Sequence, residues 1–453
     1  MRRTTKTIWG DGAPIDPEIA AYTAGDDRAW DARLLRWDIL GTLGHVEGLR
    51  ASGLLTAREH ARLERALRVA LRDADAGRFT LGPDDEDCHT TLERRLIERL
   101  GTLGEKVHTG RSRNDQVLAA IRLLTKDSLF RVEARTLDAA DALVRFARAH
   151  RDVLLPGYTH QRRAMPSTVA LWASGFAAGL LDGLLPLEAA LALVDRSPLG
   201  SAAGFGVPVP LDRARTARAL GFAEAHEPVT AVQPSRGRVE AIVLAALWGI
   251  AHELGKLSWD VILFSSEEFG YLRLPENLAT GSSIMPHKRN PDLFELTRAR
   301  EGAVAGFLAQ AVAIAGKLPS GYHRDLQLLK APLFLGLDAV EAMAARIAAA
   351  VPLLAVDRER ARAAVSGVVL ATDAAYALVL RGTSFRGAYR EIAARVRRGE
   401  AIPGSPTSRI LASRRDAGYG TLSRTIAARR RALALRRRRH DGALARLAGG
   451  RGR

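Results

Sequence analysis

The sequence holds one cysteine, Cys88, so no intramolecular disulfide braces the fold and no cysteine pair can take a metal. It has no His-Glu-x-x-His segment. The acidic run Asp84-Asp85-Glu86-Asp87 lacks the glycine and the twelfth-position glutamate of a calcium loop, so no metal is expected. No P-loop or dinucleotide fingerprint occurs: the glycines between 200 and 206 follow a helical stretch and lack the Lys-Ser/Thr ending, and no cofactor is expected. Residues 1–17 carry two arginines but no apolar core of signal-peptide length, which predicts a cytoplasmic protein. Runs of alternating β-branched residues are missing, so strands should be few and short, and no internal repeat is found. Lysine is scarce too, with seven in 453 residues, and aromatics make up 6%.

Alanine, leucine and arginine fill the space these absences leave. Apolar residues at 47% and charged ones at 26% exclude disorder and collagen, and the length predicts two to four domains. The net charge of +17 is nearly all arginine, which invites a nucleic-acid reading. Yet the arginines are spread through alanine-rich text in the manner of a compositional bias, and no nucleic-acid partner is expected. The tail with Arg429-Arg430-Arg431 and Arg436-Arg437-Arg438-Arg439 reads as solvated helix or fray. Residues 164–181 are uncharged and long enough to raise the question of a membrane span. They contain Pro166, Ser167, Thr168, Trp172 and Ser174, so a buried helix is the better account and no membrane is expected.

Apolar residues recur at three- and four-residue steps in four long stretches, from Val117 toward Phe146, from Val169 to Val194, from Val239 to Val261 and from Leu293 to Leu318. Pro186 is expected to kink or divide the second, and Pro319-Ser320-Gly321 ends the fourth. Four such helices predict an all-α protein built on a bundle. Glycine-punctuated text before Gly110 and the charged run after Pro352 divide the chain into three mostly helical regions: 1–110, a central long-helix bundle over 111–355, and 356–453 with the basic tail.

The least globular segment is Thr280-Gly281-Ser282-Ser283-Ile284-Met285-Pro286-His287-Lys288-Arg289-Asn290-Pro291-Asp292, between two apolar helices. Gly281 frees the backbone, two hydroxyls supply a proton-transfer group, Lys288 supplies charge, and Pro291-Asp292 suits a helix start. Such a loop fits an anionic ligand whose reacting carbon loses a proton to a hydroxyl while charge gathers on a carboxylate near Lys288. Composition alone also describes a solvated turn before a helix.

Eleven consecutive residues, Gly281 to Pro291, resemble the signature of the fumarase, aspartase and argininosuccinate lyase superfamily. Two further segments, His108-Thr109-Gly110-Arg111-Ser112-Arg113-Asn114-Asp115-Gln116-Val117 and Leu318-Pro319-Ser320-Gly321-Tyr322-His323-Arg324-Asp325-Leu326-Gln327-Leu328-Leu329-Lys330, resemble the argininosuccinate lyase family's own versions. Glu86-Asp87-Cys88-His89-Thr90 and Pro198-Leu199-Gly200-Ser201-Ala202-Ala203-Gly204 read the same way, and the likeness runs from Trp9 to about Ala388.

The resemblance implies a homotetramer with a shared helical bundle, each active site gathering segments from three subunits. It implies β-elimination of argininosuccinate to arginine and fumarate, a step of arginine synthesis, with no organic cofactor. Ser282 becomes the base on a mobile loop, Lys288 the stabiliser of the carboxylate intermediate, and His160, oriented by Glu295, the proton handler at the leaving nitrogen. Substrate binding falls to Ser112, Arg113 and Asn114 at a helix start, and to Thr159, Ser283 and Asn290. Tyr322, Gln327 and Lys330 hold the amino-acid end, with Asp87 and His89 at the rim. Lysine kept at 288 and 330 in so arginine-rich a chain suits positions that need a compact charge.

The chain departs from the family in three places. Trp9-Gly10-Asp11-Gly12-Ala13 lacks an arginine found there in relatives, Gln161-Arg162-Arg163 follows His160, and Ser235-Arg236-Gly237-Arg238 leaves either arginine able to reach a carboxylate. Adenylosuccinate lyase shares the signature loop but should lack the 110–116 text and needs purine and phosphate sites. A non-catalytic structural relative would not need Ser282, His160 and Lys288.

Overall fold

The computed structural model describes residues 16–449 apart from 83–84, 405 and 415–416, so the departure at 9–13 and the last arginines of the tail lie outside the described residues. Five long helices make the bundle: Arg113–Ala149, Val169–Val194, Arg238–Phe264, Asp292–Ala315 and Lys330–Ala350. The fifth lies beyond the four that periodicity marks. Arg113–Ala149 is the axis, buried on nearly every side between Asp115 and Ala147, and at 1.5 Å per residue its 37 residues span about 55 Å. Ser112 and Asp115 start it with a reciprocal capping box.

The helices alternate in direction, so the bundle has two distinct ends. At the capping end, the carboxylate of Asp115 accepts the backbone N–H groups of Gly200 (2.9 Å) and Ala202 (2.8 Å), tying the loop after Val169–Val194 to the start of Arg113–Ala149. Gly237 lies there too, at φ +80° and so close to Ala315 that an added Cβ would fall 2.1 Å from that residue's own. At the opposite end a β-hairpin, Leu154–Thr159 against Arg162–Thr168, follows the axial helix. Its Tyr158 hydroxyl meets that of Tyr271 at 2.8 Å, and Phe264, ending its helix, lies 5.9 Å from Trp172. Trp248 donates to Glu301 and Arg298 lies over Trp259, which sets Asp292–Ala315 antiparallel to Arg238–Phe264.

Two expectations need correction. Pro186 does not divide its helix, which runs unbroken from Val169 to Val194. Pro186 and Asp182, whose carbonyl loses its donor, are both on the exposed face, where water can serve that oxygen. The uncharged 164–181 stretch is not all helix: Pro166 holds its first residues extended in the hairpin, and the helix begins only after Thr168 caps Leu171 N–H at 3.1 Å. Val169–Val194 and Arg238–Phe264 are long and apolar enough to cross a membrane, yet about half of each apolar window is buried inside this chain.

Among the described residues strands are short, as expected: besides the hairpin, two pairs of two-residue strands join Arg196–Ser197 to Glu224–Ala225 and Leu272–Arg273 to Ala355–Val356. The helix Asp27–Ala51 packs along the axis from the capping end. The basic tail forms a helix, Tyr419–Leu447, laid on the axis by Ile426, Leu433 and Leu444. Its arginines meet bundle carboxylates, Arg430 with Asp138, Arg436 with Glu133 and Arg429 with Glu188.

Candidate active site

The capping end gathers ten of the candidate residues. Ser112 accepts Asn114 N–H at 3.3 Å, and the guanidinium of Arg113 bonds Glu86 (2.9 Å) and lies 3.3 Å from Asp87. Asp87 caps the helix Cys88–Leu100 through Thr90 N–H at 2.7 Å. Burial pushes the Asp87 carboxyl up, but His89 and Arg113 outweigh it and hold it below the usual range. Tyr322 lies within electrostatic reach of Arg113 and stacks under Arg236, whose guanidinium carbon is 5.2 Å from the ring centre.

Burial separates the two arginines that the sequence leaves equivalent. Arg236 is buried, with Nε and one terminal nitrogen lacking any hydrogen-bond partner among the described residues, whereas Arg238 is exposed on the first turn of its helix. The turn that carries Arg236 is held from below. Arg122, also buried, donates to Ser235 Oγ (2.8 Å) and the Arg196 carbonyl (2.6 Å), while Gly237 N–H reaches Glu240 at 2.6 Å.

Lys330 is buried and bonds Asp27 (2.9 Å) and Asp31; burial pulls its pKa down, but the two carboxylates prevail and raise it. Gln327 donates to the Thr23 carbonyl at 3.1 Å. His89 Nδ1 meets Asp38 at 2.8 Å, and although burial favours the neutral ring, Asp38 with Asp87 and Asp31 lifts its pKa to about 9.

Several of these partners escape sequence reasoning. Asp27, Asp31 and Asp38 sit one helical turn or two apart on Asp27–Ala51, a spacing that marks one face but names no partner. Ser201 and Gln233, near each other across Gly204, are buried with Oγ and both amide atoms unpaired among the described residues, the kind of orphans a polar ligand satisfies. Ser201 lies inside a family-like segment, which was a usable signal; Gln233 offered none.

The remaining seven candidates lie at the hairpin end. Thr159 ends the first strand, and His160 and Gln161 form the two-residue turn, both at positive φ (52° and 57°) and both exposed. The signature loop is closed at its stem by paired backbone bonds between Thr280 and Asn290 (3.1 and 2.8 Å), and Asn290 Nδ2 reaches the Gly281 carbonyl. Within it Ser282 Oγ accepts the N–H groups of Met285 (3.1 Å) and Ile284 (3.4 Å). Ser283, Lys288 and the tip residue Ile284, 82% exposed, face outward. Glu295, one turn into the next helix, is exposed, and neither it nor His160 has a side-chain partner among the described residues.

The expected His160–Glu295 pair is therefore not formed within one chain. The two groups of candidates are also parted by the bundle itself. The 27 residues of Arg238–Phe264, running from the Arg236 turn to the hairpin end, span about 40 Å.

Among the described residues two clusters bring metal-ligand atoms within 4.8 Å of one another: Asp31 with Cys88 and His89, and Asp127 with His440 and Asp441. In the first, Lys330 already engages Asp31, His89 Nδ1 is taken by Asp38, and burial raises the thiol. Asp127 in the second is paired to Arg131, with Arg437 beside it.

Residues 28–306 match the lyase family. The chain is 45% identical over 424 residues to argininosuccinate lyase of Sorangium cellulosum (strain So ce56), covering 93% of this chain and 98% of that one. It is 41% identical over 389 residues to argininosuccinate lyase of Thermotoga neapolitana, covering 86% and 98%. Among solved structures, an EDDS lyase variant with bound fumarate superposes with a TM-score of 0.79 at 22% identity, covering 97% of this chain and 95% of that one. A class II fumarase from Schistosoma mansoni gives 0.72 at 17%, covering 84% and 89%. Both likenesses are of fold.

Proposed function

The chain belongs to the argininosuccinate lyase family, and from that membership we propose that it cleaves argininosuccinate to arginine and fumarate in arginine synthesis, as a cytoplasmic enzyme. The chemical difficulty is removing a proton from the carbon beside a carboxylate. Ser282 takes that proton, and the electron pair left behind is delocalised into the carboxylate, whose second negative charge Lys288 stabilises. The same pair then forms the carbon–carbon double bond as the carbon–nitrogen bond breaks. His160 delivers a proton to the departing guanidine nitrogen, with Glu295 orienting it.

A serine base must survive as an alkoxide while substrate is bound. The observation that carries the reading is the hold on Ser282 Oγ by the Met285 and Ile284 N–H groups, which favour a negative oxygen there. At the other end Arg236, Arg113 and Asn114 take the carboxylates, and Lys330, Gln327 and Tyr322 the amino-acid portion.

Since catalytic and binding groups lie at opposite ends of one bundle, the working site is shared in a homotetramer, the loop of one copy meeting the capping end of another. Trp248, Trp259, Leu296 and Val312, exposed on the flank of Arg238–Phe264 and Asp292–Ala315, supply apolar surface for that association. Regions 1–110 and 356–453 then flank a common 111–355 core.

Incubating the purified protein with argininosuccinate, and in parallel with adenylosuccinate or malate, while following fumarate absorbance tests the reading. Fumarate from argininosuccinate alone is expected. Release from adenylosuccinate instead, or from none of the three, would overturn it.

A further inference from the structure

A cleft of about 380 Å³ opens where Asp27–Ala51 and Ala57–Asp75 meet the last turn of Tyr419–Leu447 and the short helix Arg213–Ala219. Ala219, Ala443 and Leu447 give it apolar walls. Arg215 and Arg218, three residues apart and so on one face of their helix, converge on it with Arg446 from the final helix. None of these three guanidiniums has a hydrogen-bond or ion-pair partner among the described residues.

Two carboxylates also line the cleft, but each is already engaged. Glu47 accepts from His60 Nε2 at 2.9 Å, and Glu64 pairs with Arg68 at 2.6 Å. Arg68 in turn donates to the carbonyls of Leu447 (2.9 Å) and Arg446 (3.2 Å), fixing the turn that presents Arg446. Elsewhere on the same final helix, Arg429, Arg430 and Arg436 each find a bundle carboxylate. Glu64 is matched by Arg68, so the three exposed guanidiniums around the cleft meet only the single charge of Glu47, and a multivalent anion relieves their mutual repulsion while filling their planar donor forks.

We propose that this cleft binds a small polyanion, a metabolite bearing phosphate or carboxylate groups with at least two negative charges. The volume suits a ligand of that size. None of its lining residues is among the candidate site groups; along the helix Asp27–Ala51, Glu47 lies nine residues, about 13 Å, from Asp38, the partner of His89, and sixteen, about 24 Å, from Asp31, the partner of Lys330. It stands whether or not the lyase reading holds.

Isothermal titration of the full-length protein with pyrophosphate and with citrate, at constant ionic strength in chloride, tests the proposal. The two probes also distinguish phosphate from carboxylate chemistry. Saturable binding of at least one probe, one per chain, is expected. The double variant Arg215→Gln/Arg218→Gln and the single variant Arg446→Gln should each weaken it tenfold or more. Arg397→Gln, an exposed arginine on another helix, should leave affinity unchanged. Neither probe binding, affinity unchanged in the double variant, or an equal loss in Arg397→Gln would each overturn the site. Because all three arginines are exposed and unpaired, melting temperatures within a degree or two of the parent are expected, and turnover without anion should not change.

Discussion

The guanidinium of Arg236 lies over the ring of Tyr322, 5.2 Å from its centre, so two residues from distant segments form one wall of the capping end. Beside that contact Nε and one terminal nitrogen of Arg236 are buried and without a partner among the described residues, free for a carboxylate. Arg236→Lys keeps the charge but loses the planar fork and the stack, and should lower kcat/KM about a hundredfold, the worth of a charge-assisted pair. Arg238→Ala, removing an exposed side chain, should change kcat/KM less than twofold. Steady-state kinetics on both variants decides which arginine binds, and equal losses would refute the assignment.

Ser282→Ala removes the proposed base without disturbing the stem of the loop, which the Thr280–Asn290 backbone bonds close independently. Turnover should fall about a thousandfold, within the range that a positioned base contributes, while substrate affinity measured by titration stays within a few fold. Near-normal turnover would remove Ser282 from the mechanism.

His89 makes stability depend on pH. Its folded pKa of about 9 lies above the unfolded value near 6.5, so the stabilisation is fully present below pH 6.5 and is lost as pH rises through 9. Urea unfolding of parent and His89→Gln at pH 6 and pH 10 should show the gap between them narrowing by on the order of 3 kcal/mol. A gap independent of pH would mean that the imidazole is neutral beside Asp38.

These predictions differ in how far the sequence alone could have made them. The long helices were readable because their apolar residues recur at helical steps, and Ser282 and Lys288 because an unbroken stretch of text surrounds them. The hairpin was not: residues 164–168 run without charge into an apolar helix, and only Pro166 and the cap at Thr168 separate the two. The helix Lys330–Ala350 was hidden by alanine, which marks no face strongly. The grip of Asp27 and Asp31 on Lys330 joins residues some three hundred positions apart, and no local spacing encodes such a partner. Nor do motifs disclose which end of a bundle they occupy; that follows from helix lengths and directions.

The tail shows the same limit. Its arginine runs read as solvent-facing charge, yet Arg436 bonds Glu133 at 2.6 Å, a carboxylate that is otherwise buried and that burial pushes above the usual range. Arg436→Ala would strand that carboxylate and should cost about 3 kcal/mol in chemical denaturation, whereas Arg438→Ala, on the exposed face, should cost under about 0.5 kcal/mol. Equal small effects would return the tail to mere solvated charge.

The proposed sharing of the active site has a sharper consequence, because lesions at the two ends of the bundle would then not need to fall in the same site. Arg236→Met should disable the capping end and Ser282→Ala the hairpin end, and each variant alone should be nearly inactive. If a site takes its loop from one subunit and its capping end from another, random mixing in equal amounts gives each segment an even chance of being intact. About one site in four then carries neither lesion, so unfolding and reassociating the two variants together should restore about a quarter of parental activity. Both lesions are substitutions of similar or smaller volume that leave backbone bonds in place, so assembly should proceed. A self-contained subunit makes the opposite prediction: every site in the mixture would carry one lesion, and activity would stay at the level of the separate variants. The length of Arg238–Phe264, about 40 Å between the two groups of residues, is what makes the quarter the expected result.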